Sequence, residues 1–376
     1  MMKKPISALA FAVAFLGLSS LAQDSQPAND TATAAQTFLA TLDAAQRAKA
    51  TYDFKDAAQR KNWSNLPTSF VKRGGLRLGD LTQAQRDAAM SVVESALSPQ
   101  GYAKIQEIVE GDEYLKTHNN NGGRRPPPAG PPSGQAQQPS GQGTAGGGPP
   151  ASPKGPGRQG GAPMFGHDEY YISFLGQPSA TAPWMIQFGG HHLAINITLV
   201  GTHGTLAPSH TAAQPAIYEL EGKTVRPLGD ETDKAFALLS SLNEAQRKQA
   251  VLGFEMHDLV LGPGRDGQTI QPEGIQGSAL TDKQRELLLD LASEWTAIQS
   301  DAFAKAKMEE MKKHIEDTWF AWSGPVEKGG AAYFRIQGPT VLIEYAPQTL
   351  GGDPTKHIHT IYRDPTNEYG AQWWKP

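Results

Sequence analysis

The chain is 376 residues long, carries a formal charge of −4 and contains no cysteine. The missing thiol excludes a disulfide framework, a thiolate metal site, a cysteine nucleophile and a lipoprotein anchor. The slight acidity, which becomes about −6 once Lys3 and Lys4 are removed, gives no general attraction to nucleic acid or anionic lipid.

The N-terminus reads as a secretory signal. Lys3 and Lys4 precede an apolar stretch, Ile6 to Leu18, and Ser20-Leu21-Ala22 follows as a small-x-small cleavage site. The stretch is short of the ~20 residues that a membrane span needs. Residues 1–22 are therefore expected to be a signal peptide, with a mature chain starting at Gln23 in a secreted or periplasmic setting. No later run is apolar enough for a span.

One helix start then recurs four times: Leu, a capping residue, two variable residues, Gln and Arg. The copies are Leu42-Asp43 to Gln46-Arg47, Leu81-Thr82 to Gln85-Arg86, Leu242-Asn243 to Gln246-Arg247 and Leu280-Thr281 to Gln284-Arg285. Asp, Thr and Asn accept unpaired first-turn amides, and a Gln three residues on reaches back to the cap amide. In the fourth copy Leu288, Leu291, Trp295 and Ile298 follow at the spacing of a core-facing stripe. Between the second and third copies lies Thr117 to Pro163, which has no Leu, Ile, Val, Met, Phe, Tyr or Trp. Such a segment buries too little apolar surface to offset the entropy of ordering and is expected to be a disordered tether.

Strands follow each helix pair. Aromatic and β-branched runs mark them at Tyr170–Leu175, Trp184–Phe188, Leu193–Val200, Trp319–Trp322, Tyr333–Ile336 and Val341–Tyr345. Residues 168–176 and 188–196 align with 316–324 and 336–344 at one offset of 148, whereas the helix starts are about 200 apart. The two offsets differ by close to the length of the tether, so the tether is an insert in the first half alone. The expected fold is α+β: one duplicated domain over 36–376 with a pseudo-two-fold relation, each half a helix pair followed by antiparallel strands. Its parts are helices at 36–116, the insert at 117–163, strands at 164–233, helices at 234–313 and strands at 314–376.

Candidate chemistry lies on the strands. Alternate residues of a strand share a face, so His192 is expected on the polar face with Asn196 and the adjacent His191 on the apolar face with Leu193 and Ile195. The 148-residue offset sets Glu344 opposite Asn196. His357 and His359, if extended, present two imidazoles on one face. Two or three His with a carboxylate suit zinc, and also iron, manganese or copper. Arg363 and Asp364 read as a substrate clamp or a structural ion pair. Glu255, His257 and Asp258 read as acid–base groups or a surface cluster. His203 and His210 are expected to be solvated in a loop. Asn196-Ile197-Thr198 matches a glycosylation sequon, but its strand setting argues against use.

At Gly189-Gly-His-His-Leu-Ala-Ile-Asn196, Gly338-Pro-Thr-Val-Leu-Ile-Glu-Tyr345 and the stretch from His357 to Gly370 the chain resembles the domain of unknown function 3500 family. The resemblance covers Phe38 to Gly370 except the insert, implies an exported or extracellular protein, and supports treating the two His motifs as one site. It names no substrate. Two functions are expected from these residues. One is a metal-dependent hydrolase in which His192, Glu344, His357 and His359 hold a divalent ion, and Arg363 or Asp364 orients a small-molecule substrate or moves a proton. The other is a non-catalytic protein that captures a metal ion or small ligand.

Overall fold

A computed structural model describes residues 26–118, 164–350 and 352–374. The expected signal peptide and all of the insert beyond His118 lie outside the described residues. The architecture is mixed α/β, with helices on one face of a large sheet.

Helices α1 (Gln26–Ala40), α2 (Ala44–Ala50), α3 (Gln83–Ala96) and α4 (Pro99–His118) form the first group; α5 (Gly229–Ser241), α6 (Glu244–Ala250), α7 (Asp282–Thr296) and α8 (Asp301–Lys313) form the second. All four repeated helix starts are capping boxes, at Asp43, Thr82, Asn243 and Thr281. The Gln of each box does a second job. Gln46 and Gln85 exchange side-chain hydrogen bonds, as do Gln246 and Gln284, the latter pair at 2.9 Å in both directions. The spacing of the repeated motif is thus the spacing of an amide pair that locks one helix start to another. Helix α1 starts ten residues ahead of the expected boundary at 36; its buried stripe of Ala28, Ala32 and Ala35 is too weakly apolar to stand out in sequence.

All six expected strands form: β1 (Tyr171–Leu175), β2 (Trp184–Gly189), β3 (Leu193–Val200), then β5 (Trp319–Ser323), β6 (Tyr333–Gly338) and β7 (Val341–Pro347). Two more complete the sheet centre, β4 (Ser209–Ala213) and β8 (Ile358–Arg363). The order is β1-β2-β3-β4-β8-β7-β6-β5, every neighbour antiparallel, with short strands beyond each edge. One edge addition, Thr51–Tyr52 on β1, is parallel. The register respects the 148-residue offset: Phe188 pairs with Ile195 as Ile336 pairs with Ile343, and Ile172 with Phe188 as Phe320 with Ile336.

One sheet face packs under the helices. Ile195, Ile197, Ile343, Tyr362, Phe38, Leu288, Leu291, Trp295 and Ile298 belong to this main core. The opposite face is covered by irregular segments around 53–75 and 254–273, which make a second, smaller cluster of Trp63, Ala194, Leu261, Leu342 and Ile361. Where helix α4 ends and β1 begins, the chain returns to its point of departure: the Gly166 amide donates to Asp112 at 2.9 Å and the His167 amide to Glu113 at 3.1 Å. In the second half α8 leads through His314 straight into the turn Ile315–Asp317 before β5.

Candidate metal centre

Strand β8 alternates as expected. Thr360 faces the helices, where its hydroxyl accepts from the Trp295 indole at 3.0 Å. His357, just ahead of the strand, and His359 face the loop-covered side. His359 pairs with Ala212 on one flank and Ala346 on the other. These small neighbours leave room above the sheet for a third imidazole from one strand further on. That imidazole is His192, whose place ahead of Leu193 puts it in the row of Ala212.

The three rings meet through Nε2. The His192 and His357 nitrogens are 3.1 Å apart, and those of His357 and His359 are 3.0 Å apart. Two nitrogens each about 2.0–2.1 Å from a tetrahedral zinc would be separated by about 3.3 Å. All three residues are buried, and each offers one ligand atom within 4.8 Å of the others, a grouping able to hold a metal ion. Nδ1 of His357 lies 2.6 Å from the Leu350 carbonyl, which only accepts, so the proton sits on Nδ1 and the Nε2 lone pair faces the centre. Nδ1 of His359 lies 3.2 Å from the Asn65 amide. Burial is the leading cause that pushes His192 and His359 well below the ordinary imidazole range, and His357 below it; neighbouring histidines add to the shift. The rings are therefore neutral and ready to ligate near neutral pH.

His191 departs from the expectation. Strand pairing starts only at Leu193, and His192 has a left-handed backbone with φ of 63°, so strict alternation does not reach residues 191 and 192. The two rings lie on one another with centroids 3.5 Å apart, rather than on opposite faces. Nδ1 of His191 contacts the Asp112 carboxylate at 2.5 Å, and its carbonyl accepts from the Tyr170 hydroxyl at 2.9 Å. Asp112, His191 and His192 form a second compact grouping, but the 2.5 Å contact is a direct hydrogen bond, closer than two ligands of one ion stand.

Glu344 is not brought to the three histidines. Its buried carboxylate accepts from the amides of Val260 and Leu261 and from the Tyr333 hydroxyl, anchoring the covering segment. Desolvation raises its pKa, opposed by those hydrogen bonds. Arg363 donates to the carbonyls of Leu261 and Gly262 and pairs with Glu368, and Asp364 pairs with Lys307 at 2.6 Å while accepting from the amides of Thr366 and Asn367. These two residues thus hold the same covering segment and the C-terminal turn.

His210 was expected in solvent and is fully buried on β4, its ring 5.3 Å from that of His359. Burial first, then His191 and His357, lower its pKa to about 3. The sequence signal is weak because Ser-His-Thr-Ala-Ala lacks the apolar alternation of a strand. His203 is exposed, as expected. Glu255 and His257 form an exposed pair, the surface reading of that cluster. Asn196 is buried and bonded to Gln187 and the Pro208 carbonyl, which closes it to glycosylation.

The fold and the centre define an α/β protein with a buried three-histidine site able to take a metal ion. The chain belongs to the family described as Protein of unknown function (DUF3500), whose sequence profile matches residues 24–371. No curated protein and no solved structure matches it.

Proposed function

We propose that this chain is an exported metalloprotein built from two copies of one helix-and-strand unit, holding a divalent ion, zinc foremost, between them. His192 comes from the first copy and His357 and His359 from the second. The observation that carries the reading is that the His357 Nε2 stands 3.1 Å from that of His192 and 3.0 Å from that of His359, with the His357 proton committed to a carbonyl. The palindromic strand order and the shared 148-residue register support the two-copy reading.

Hydrolysis is the reaction class we assign. An ion with three protein ligands keeps a position for water, whose pKa it lowers. Leu66 and Phe70 are exposed on the 53–75 cover and Leu350 on the loop between β7 and β8, and substrate would enter between them. Arg363 acts in this scheme as a positioning residue for the cover and Glu344 as its anchor, while Asp364 ties the C-terminal turn to Lys307. The second reading, a non-catalytic metal-capture protein, is favoured by the burial of all three ligands.

Metal affinity of the chelator-stripped mature chain tests the proposal. His192→Ala and His359→Ala should each lower zinc affinity by more than about a hundredfold. His203→Ala should leave affinity unchanged. Equal affinity in all three variants would refute the site.

A further inference from the structure

We infer that a cavity on the helix side of the sheet, in the second half of the chain, is a binding site for an uncharged aromatic molecule of the size of indole. The cavity measures about 260 Å³, and Phe236, Trp322, Ala332, Phe334 and Tyr345 line it. Phe334 stacks on Tyr345 at 4.8 Å, and Phe236 meets Trp322 edge-on at 4.9 Å, so aromatic neighbours brace the wall. An apolar cavity of about 150 Å³ holds a benzene ring, so this one has room for a bicyclic ring.

The first half shows what such a space holds. At the 148-residue offset Trp322 corresponds to Phe174 and Ala332 to Trp184. The register keeps that correspondence: Phe174 pairs with Ile186 as Trp322 pairs with Phe334, and Ile186 with Ile197 as Phe334 with Tyr345. Trp184 is fully buried in the main core, its indole stacked beside Phe174 with centroids 6.4 Å apart. Ala332 belongs to the same core but its side chain ends at Cβ, so the place that an indole fills over Phe174 is open over Trp322. In the first half the Trp184 Nε1 donates to the Ser179 carbonyl at 2.8 Å, in the loop ahead of β2. The matching loop ahead of β6 also reaches the cavity, at Gly330.

The surrounding chemistry selects an uncharged ring. The Tyr345 hydroxyl donates to Thr232 at 2.6 Å, and Thr232 donates in turn to the Leu228 carbonyl at 3.0 Å, so both hydroxyl protons are already used. At the mouth Arg226 pairs with Asp233 at 3.0 Å and also faces Asp230, while the exposed Lys356 has Asp353 at 3.9 Å. No charge is left over to hold an ion, and an ionised ligand would lose its hydration against this wall without compensation. The inference rests on the matched strand register and not on the metal ion or on export.

Binding of 5-fluoroindole to the mature chain, followed by fluorine NMR, gives the readout. Saturable binding that indole displaces is expected, with indole-3-acetate and tryptamine each roughly tenfold weaker or more as competitors. Ala332→Trp, which supplies the ring from the chain itself, should lower affinity roughly a hundredfold or more with cooperative unfolding kept. Ala332→Leu is the smaller filling and should weaken binding roughly tenfold or more even if the tryptophan variant does not fold. Absence of saturable binding to the parental chain, affinity unchanged in Ala332→Leu, or a charged analogue that competes as well as indole would overturn the assignment.

Discussion

His192 shows how much one residue asks of its surroundings. A left-handed backbone at a non-glycine residue is uncommon and persists where neighbours over-determine it. Here the His192 amide donates to the Asn65 carbonyl at 3.2 Å, and the His191 carbonyl is held by Tyr170. That turn lifts the ring across Ala212 toward His359. The sequence placed His192 on the side where the three rings meet, although by an alternation that does not extend to it, and the spacing of His357 and His359 was enough to pair them. It was not enough for His191, because alternation fails where pairing ends, nor for His210, because its strand carries small polar residues. His210 gives a titration test. Its folded pKa of about 3 lies below the ordinary 6.5, so the unfolded chain binds more protons between those values. Its contribution to stability is complete above pH 6.5 and is lost as pH falls, by about 1.4 kcal/mol per pH unit for each such group. Denaturant unfolding from pH 7 to 4 should show a steep loss of stability, and His210→Gln should shallow it by about one proton's worth. An unchanged slope would mean that His210 is not buried neutral.

Among the elements, the capped helices and six of the eight long strands were legible because each carries a local signal: a capping box, or an aromatic and β-branched run between turn residues. Helix α1 escaped because alanines bury well without marking a stripe. Glu344 was placed on the correct strand face but given the wrong partners: Ala346 and Ala212 flank His359, while Glu344 reaches Val260 and Leu261 in a loop about 83 residues away, a contact that periodicity does not encode. The insert offers the test at this scale. Its flanks meet at Asp112–Gly166 and Glu113–His167, and the second half joins the matching elements through one residue. Deleting 119–163 with a two-residue Gly-Ser joint should keep cooperative thermal unfolding and shift the midpoint by no more than a few degrees, since loop entropy changes slowly with length. Loss of cooperativity would show that the segment packs against the domain.

For the whole molecule, the sheet has a division of labour. Its helix face holds the main core, while its loop face holds buried polar groups: Asn196, Glu344, Arg363 and the histidines. The two halves meet at β4 and β8, and the three-histidine cluster lies beside that junction with residues from both. Export is the cellular side of the account: mass spectrometry of the extracytoplasmic fraction should find a mature N-terminus near Gln23, and an intact Met1 end in soluble cytoplasm would contradict it. The central claim is the ion itself. X-ray absorption at the zinc edge, on mature chain loaded with one equivalent of zinc, tests it most directly. The account predicts three imidazole nitrogens at about 2.0–2.1 Å with one oxygen scatterer from water, the imidazole signal falling in His357→Ala. Zinc that stays loosely bound by oxygen, or a spectrum untouched by His357→Ala, would contradict it.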